Sequence, residues 1–353
     1  MHLRQAGLSL IELMIAITLG LILMAGVVQV FLSSKTVFST QQAMSRIQET
    51  GRLAIDFMAR DIRMAAYYGC YRPKFGEPGA ELQDGNLVIK DLHGNFAEGV
   101  RGYKSIDELP GKVNDVGASI TPLKDKTANV LVLHTANGSG LPLSKANDSK
   151  GIYAYSPEAI DTKGCVAGIC KDSAAVVSDC FKARIFKLVA APSLVGTDIY
   201  LKHDNGWGGG IIPTENFTTG EVLAMNTVVF FLAEGPAGAP SLWQKTNAET
   251  ALELLEGVEH MRVTYHVVRD VNGDGVNDND EYRLADALNN AEWPFVQSVR
   301  IELVVRSSDN NVVEKSQPYT FAGVTVTPDK DDRYLRQVFS STIGIRSRAT
   351  NIQ

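Results

Sequence analysis

An uncharged apolar run of twenty residues, from Leu13 to Leu32, constrains this chain more than any other feature. At a rise of 1.5 Å per residue, a helix of this length spans about 30 Å, which is the thickness of one hydrocarbon core. Arg4 precedes the run and Lys35 follows it, so flanking charge does not set an orientation. The run is longer than a usual signal-peptide core, and no small-residue cleavage motif follows it. The sequence therefore predicts an N-terminal membrane-spanning helix that stays in the protein.

One carboxylate, Glu12, lies at the start of this apolar run. An ionised carboxylate at mid-bilayer costs about 2.5–3.5 kcal/mol on insertion scales, so Glu12 needs a partner. The predicted helix has no cation near Glu12. We therefore expect the partner to lie outside this helix.

The segment Gly7-Leu8-Ser9-Leu10-Ile11-Glu12 resembles the prepilin-peptidase site of type IV pilins and pseudopilins. Leucine stands at residue 8, where that class usually has phenylalanine. The resemblance implies cleavage between Gly7 and Leu8, by a membrane peptidase that also methylates the new N-terminus at Leu8. It further implies that Glu12 of one subunit pairs with the Leu8 amine of a neighbour, so that a costly charge sets the register of an assembly.

Helical periodicity continues beyond the apolar run. Charged residues occupy the remaining faces, and no proline occurs before Pro73. This pattern predicts one helix over about residues 9–66, whose second half packs on a globular domain. The apolar stripe that carries the prediction is Met44, Ile47, Gly51, Ile55, Met58, Ile62 and Ala65.

Beyond Tyr68 the sequence becomes β-rich. Residues 75–126 are polar and weakly patterned, which predicts loops or an irregular insertion, and residues 251–255 fit a short helical or extended turn. A long helix against an antiparallel sheet with large loop insertions is an α+β, pilin-like arrangement. The predicted strands are Val130–His134, Ala183–Val189, Thr197–Lys202, Thr227–Leu232, Val258–Val267 and Val296–Arg306.

Short segments in a fixed order along the chain resemble the PilW family of minor pilins. The family resemblance implies a role in priming a type IV pilus at its tip, with other minor pilins, the major pilin and a large tip adhesin as partners. It divides the chain into a leader (1–7), a transmembrane and filament-core helix (8–33), its amphipathic continuation (34–68) and a periplasmic globular domain (69–353), anchored in the inner membrane before entering the pilus. The segments are Arg60–Met64 with Gly69-Cys70, Val177–Cys180, Gly257–Glu259 with Tyr265, Trp293 ahead of Val299, Arg336–Phe339 and Arg346–Arg348.

The chain has four cysteines, which fits two disulfides in an oxidising compartment. Cys165 and Cys170 can close a small loop, which leaves Cys70 to pair with Cys180 and to tie the end of the helix to a strand. The other two pairings stay open. A zinc site is disfavoured, because the spacing is not that of paired C-x₂₋₄-C ligands and no histidines cluster nearby.

Residues 270–281 match the calcium-loop pattern D-x-[DN]-x-[DN]-G-x₅-E in full. Oxygen donors at this spacing surround one point, and Gly275 allows the sharp turn between them. The preceding residues have a strand pattern, so we expect an EF-hand-like loop between β elements that binds a structural Ca²⁺. The expected ligands are Asp270, Asn272, Asp274, the carbonyl of Val276, Asp278 and a bidentate Glu281.

Charge and motifs narrow the function. A formal net charge of −6 argues against nucleic acid as the primary ligand, which requires a basic footprint. We find no nucleophile elbow, phosphate-binding loop, dinucleotide fingerprint or metalloprotease motif, so we assign no catalytic residues and expect a protein that is not an enzyme. The alternatives to a minor pilin are a pseudopilin of type II secretion, a calcium-dependent adhesin or ligand-binding module, and, least favoured, a secreted hydrolase.

Overall fold

The computed structural model describes residues 9–71, 83–84, 98–109, 120–123, 129–137, 140–156, 158–203, 216–247, 249–268 and 281–348. Its strands, numbered in chain order, are β1 (Gln83–Asp84), β2 (Val100–Tyr103), β3 (Thr121–Pro122), β4 (Val130–Ala136), β5 (Leu141–Lys145), β6 (Gly151–Ala154), β7 (Ala174–Ser178), β8 (Ala183–Lys187), β9 (Ser193–Val195), β10 (Asp198–Lys202), β11 (Glu221–Glu234), β12 (Pro240–Thr246), β13 (Leu252–Glu256), β14 (Val258–Val267), β15 (Tyr282–Arg283), β16 (Val296–Arg306), β17 (Tyr319–Phe321), β18 (Val324–Val326) and β19 (Arg336–Gly344).

The first element is a single helix, α1, over Leu10–Met64. Ser9 caps its N-terminus, and the chain leaves the helix at Ala65, which has an extended ψ of 149°. The predicted helix over residues 9–66 is therefore confirmed. Its second half carries the buried positions Ile47, Gly51, Ala54, Met58, Ala59 and Ile62.

The packed half of α1 lies against a four-stranded antiparallel sheet of order β15-β14-β16-β19. In β16, Val299, Ile301 and Leu303 point into the core, as the alternation predicted, and β14 and β16 have the predicted bounds. Gly51 allows close approach, because a Cβ atom there would lie 2.3 Å from Cε2 of Phe339 in β19. Strand β19 was not predicted.

The other large sheet is centred on β11, which is longer than the predicted Thr227–Leu232. Its first residues pair with β5 and β7, and its later residues pair with β4 and β12. Leu223 and Phe230 face the core shared with α1, whereas Val222 and Phe231 face two smaller cores on the opposite side. Because both of its faces are buried, β11 is apolar without alternation.

Several predictions need correction in detail. Residues 75–126 were predicted to be irregular, but β2 lies within them and pairs with β4, placing Val100 in the main core. Of the two alternatives for residues 251–255, the structure has the extended one, β13. Strands over residues 183–189 and 197–202 form as β8 and β10, and the former ends two residues early at Lys187.

Candidate assembly site

The N-terminus of α1 places Glu12 in a capping box. The backbone amide of Ser9 donates to Oε2 of Glu12 at 3.0 Å, and the amide of Glu12 donates to Oγ of Ser9 at 3.2 Å. Each side chain thus satisfies a backbone donor that the helix leaves unpaired, and the carboxylate lies at the positive end of the helix dipole. The pattern Ser-x-x-Glu in the sequence is the signal that predicts this arrangement. Gly7 and Leu8 lie outside the described residues.

The half of α1 that follows is exposed on all sides. From Leu10 to Phe38 its large apolar side chains are 51–77% exposed. In the part of the chain that the structure describes, α1 is the helix long and apolar enough to cross a membrane. Such a surface must be covered in the working protein, by lipid or by other apolar helices.

The packed half of α1 adds two exposed apolar side chains to this surface. Leu53 and Phe57 are 39% and 43% exposed and lie one helical turn apart, on the side away from the sheet. We predicted charged residues on the faces outside the buried stripe, and Leu53 and Phe57 lie on one of those faces. Their spacing of four residues was the signal that could have revealed them.

Hydrogen bonds fix the end of α1 to the globular domain. The amide of Ala66 donates to the carbonyl of His134 at 2.8 Å, and the hydroxyl of Thr135 donates to the carbonyl of Met64 at 2.6 Å. In the C-terminal 3₁₀ turn Arg346–Arg348, the hydroxyl of Ser347 donates to the carbonyl of Ala65 at 2.7 Å. These bonds attach the C-terminal end of α1 to the domain, and the exposed half belongs to the same continuous helix.

The buried side chain of Arg348 holds the same region together. It donates to the carbonyls of Trp293, at 2.9 Å, and Val296, at 3.0 Å, and also to the carbonyl of Glu98. Burial lowers the pKa of Arg348 to about 10. Ser347 and Arg348 belong to a segment that carried the family resemblance, and the structure gives both of them a structural role.

Two other segments of the resemblance meet in an ion-pair network. The guanidinium of Arg336 donates to both carboxylate oxygens of Glu259, at 2.6 and 3.0 Å, and also pairs with Asp332. The hydrogen bonds from Arg336 hold the pKa of Asp332 below its usual range. The network joins the beginning of β14 to that of β19, on either side of β16.

The disulfides are Cys70–Cys180 and Cys165–Cys170, the pairs that the sequence favoured. The first connects the segment after α1 to the turn between β7 and β8. It therefore ties the end of the helix to the sheet centred on β11.

The predicted calcium ligands Asp270, Asn272, Asp274, Val276 and Asp278 lie outside the described residues. The flanking elements are the antiparallel strands β14 and β15, in which Tyr265 lies opposite Arg283. The loop therefore connects two strands, as expected. Glu281, the remaining expected ligand, is exposed and lies just before β15. Elsewhere among the described residues, no group of three or more His, Cys, Asp or Glu side chains has the arrangement of a metal site.

Comparisons with known proteins agree with these features. Residues 229–347 match the family described as Type IV Pilus-assembly protein W, and residues 2–28 match the Prokaryotic N-terminal methylation motif. These matches agree with the resemblance of the sequence to PilW-type pilins and to a prepilin-like N-terminus. The family match includes the segments that contain Glu259, Trp293 and Arg336. The methylation motif and the exposed apolar helix fit membrane anchoring.

The other comparisons are weaker. No curated protein matches the chain. A type IV-like pilin from Thermus thermophilus is similar at 16% identity, over 54% of this chain and 90% of that chain, with a TM-score of 0.21. A TM-score this low carries no argument about function. The α+β fold class rests on the helix and antiparallel sheets themselves.

Proposed function

We propose that this chain is a minor pilin that primes or caps a type IV pilus, at or near its tip. The observation that carries the proposal is an exposed apolar helix that begins with a methylation motif and continues without a break into a folded domain. Residues 1–7 are the leader, and the domain after the helix lies in the periplasm until the subunit enters the pilus. The role is structural and needs no catalytic residue.

Processing precedes assembly in this proposal. A prepilin peptidase in the inner membrane cuts between Gly7 and Leu8 and methylates the amine of Leu8. Glu12 then exchanges its bond to the Ser9 amide for a charged partner, the Leu8 amine of a neighbouring pilin subunit. The exchange is favourable because the new bond joins two opposite charges in an apolar setting, whereas the bond to the Ser9 amide involves only the charge of the carboxylate. Other minor pilins, the major pilin and a large tip adhesin are the proposed partners.

Glu12→Gln tests the assembly step separately from processing. The glutamine keeps a hydrogen-bonding side chain but has no charge, so the chain should be cleaved normally while the number of pili and twitching motility fall at least about tenfold. Electron microscopy counts the pili, and Glu49→Gln, an exposed change in the packed half of α1, is the matched control. Normal piliation of the Glu12 variant would contradict the proposal.

A pseudopilin of type II secretion is the nearest alternative, since it has the same kind of N-terminus. Deletion of the gene separates the two: loss of pili with normal secretion supports the minor pilin, and the reverse result supports the pseudopilin. A calcium-dependent adhesin would instead leave the number of pili unchanged and reduce binding to a surface.

We further propose that residues 270–281 bind one structural Ca²⁺. The full motif and its position between two antiparallel strands support this proposal. Calcium at a hundred times its dissociation constant should stabilise the chain by about 2.7 kcal/mol. Thermal unfolding with calcium and with a chelator measures the effect, and Asp270→Ala should abolish it. An equal response to calcium in Asp270→Ala and in Asp309→Ala, an exposed acidic residue elsewhere, would contradict the site.

A further inference from the structure

Strand β19 lies at one edge of the four-stranded sheet, and in the described part of the chain no strand pairs with its other side. The opposite edge of the sheet is β15, which has only two residues. Edge strands are normally kept short, bulged, or marked by lysine or proline, because an open edge pairs with other chains. In contrast, β19 is nine residues long, contains neither lysine nor proline, and pairs with β16 without a register shift.

The register between β16 and β19 shows which backbone groups point outward. The amide of Ile345, just after β19, donates to the carbonyl of Gln297 at 2.8 Å. In an antiparallel pair, every second residue bonds to the partner strand, so the odd-numbered residues of β19 bond to β16. The amides and carbonyls of Val338, Ser340 and Thr342 therefore point away from β16, and within the described ranges no residue bonds to them.

The free edge is accessible and carries no free charge. Ser340, Thr342 and Gly344 are exposed, and a Cβ atom at Gly344 would have nothing within 4 Å. Arg336, at the start of the strand, is the charged residue of β19, and its guanidinium is paired with Glu259 at 2.6 Å. The rest of the strand has neither the charge nor the proline that would keep another strand away.

The direction of β19 argues against a second copy of this chain as the occupant. Phe339 packs on Gly51 of α1, and Ser347, after the strand, is bonded to Ala65, so β19 runs in the same direction as α1. Antiparallel pairing of two β19 strands would therefore point the two membrane-spanning halves in opposite directions. A copy in the same orientation offers its other edge, β15, whose two residues cannot match the length of β19.

The free donors and acceptors fit an extended segment whose own backbone groups are unpaired before it binds. The side chains of such a segment alternate between two environments. On one face of the sheet they would lie beside Phe339 and Ile343, which pack in the core shared with α1, and on the other beside the exposed Ser340 and Thr342. A segment with alternating apolar and polar residues therefore matches this edge.

We propose that β19 is a strand-addition site, which binds an extended peptide segment of another protein as a fifth strand of the sheet. This contact differs from packing between folded domains, because the segment is unpaired until it binds and becomes ordered on β19. The proposal concerns the free edge of the sheet and does not depend on the proposed role in the pilus.

Hydrogen exchange of the full chain in detergent tests whether the edge is free. The amides of Val338, Ser340 and Thr342 should exchange at least about tenfold faster than those of Phe339 and Ser341, which bond to β16. Equal protection of the two sets would overturn the proposal, because the outward amides would then already be paired.

Site-specific photo-crosslinking then tests the kind of occupant. A benzophenone amino acid is placed at residue 340 or 342 of the full chain, in cells that produce a complete pilus machinery. The control is residue 324 on β18, which is 64% exposed in the native chain. Both β19 probes should label one short segment of one partner, at positions shifted by two residues, with a yield from 324 at least about tenfold lower.

Three results would overturn the proposal. They are labels scattered over a folded surface of the partner, labels on β19 of a second copy, and no protein label from either β19 probe. A loss of the label together with normal processing and piliation would leave the pilin role intact.

A proline at residue 340 supplies the matched substitution. Ser340→Pro removes an amide that points away from β16, so the bonds within the sheet remain, whereas Ser340→Ala changes only the side chain. With the probe at residue 342, Ser340→Pro should lower the yield at least about tenfold, and Ser340→Ala should leave it nearly unchanged. Thermal unfolding checks that both variants fold, and equal yields from the two folded variants would overturn the proposal. If the proline variant unfolds, the labelling pattern of the two probes decides the question by itself.

Discussion

The two halves of α1 have opposite surroundings, although they form one continuous helix. From Leu10 to Phe38 the large apolar side chains are exposed all round, whereas from Ile47 to Ile62 the buried positions follow one stripe against the sheet. A helix that is apolar on all faces suits lipid or a bundle of helices, and an amphipathic helix suits the surface of a domain. One continuous helix therefore combines a half that packs on its own domain with a half whose apolar surface must be covered by lipid or by other helices.

The largest expected difference in stability between the two halves comes from replacing one methionine in each half by alanine. Met58 is fully buried, so Met58→Ala should lower the free energy of unfolding of the globular domain by about 2–5 kcal/mol. Met24 is 66% exposed, so Met24→Ala should leave it unchanged. Denaturant unfolding of the full chain in detergent, followed by tryptophan fluorescence, measures both. Similar losses in the two variants would contradict the division of the helix.

A smaller effect is expected from the glycines of the two halves. Gly51→Ala should cost about 1–3 kcal/mol, because the new methyl group would meet the ring of Phe339, whereas a Cβ atom at Gly26 has nothing within 4 Å. Gly26→Ala should therefore only improve helix propensity, by up to about 1 kcal/mol. The same unfolding assay measures these changes, and Phe339→Leu should partly rescue Gly51→Ala. A lack of rescue would argue that the clash is not the cause.

The smallest effect concerns a carboxylate in the packed half. Burial raises the pKa of Asp61, although Arg60 and a hydrogen bond from Gln244, at 2.8 Å, oppose the shift. An acid whose pKa is raised by folding binds protons more tightly in the folded state, so its ionised form opposes folding above that pKa, and the penalty fades as pH falls.

Asp61→Asn should therefore stabilise the domain slightly at pH 7, and the gain should shrink as pH falls through the raised pKa. Unfolding at several pH values measures it, with Asp56→Asn on the exposed side of α1 as the control. A gain that grows toward acid pH would have the wrong sign and would contradict the assignment.

The sequence predicted the elements whose patterns are local and clean. Val299, Ile301 and Leu303 alternate with polar residues, so β16 was placed with its correct bounds. Its neighbour β19 was missed, because Ser340, Ser341 and Thr342 interrupt any apolar alternation and its place in the sheet depends on pairing with β16. Long-range pairing of that kind is not encoded in a local pattern.

Part of the assembly site could also be predicted from the sequence. The motif around Gly7 and Glu12 predicted a prepilin-like N-terminus, and residues 2–28 match the Prokaryotic N-terminal methylation motif. The segments scattered along the chain resembled the PilW family, and residues 229–347 match its model. The bond between Glu12 and the Ser9 amide was missed although its signal is local. The role of Arg348, by contrast, could not be predicted, because its acceptors on Glu98, Trp293 and Val296 converge only in the folded chain.

The pilin-type role proposed for this chain depends most directly on how its N-terminus is processed. The measurement is mass spectrometry of the N-terminus after co-expression with a prepilin peptidase, beside a Gly7→Ala control. We expect a chain that begins at Leu8 with a methylated amine, and no cleavage in the control. An intact N-terminus, or a cut after the apolar run, would contradict it.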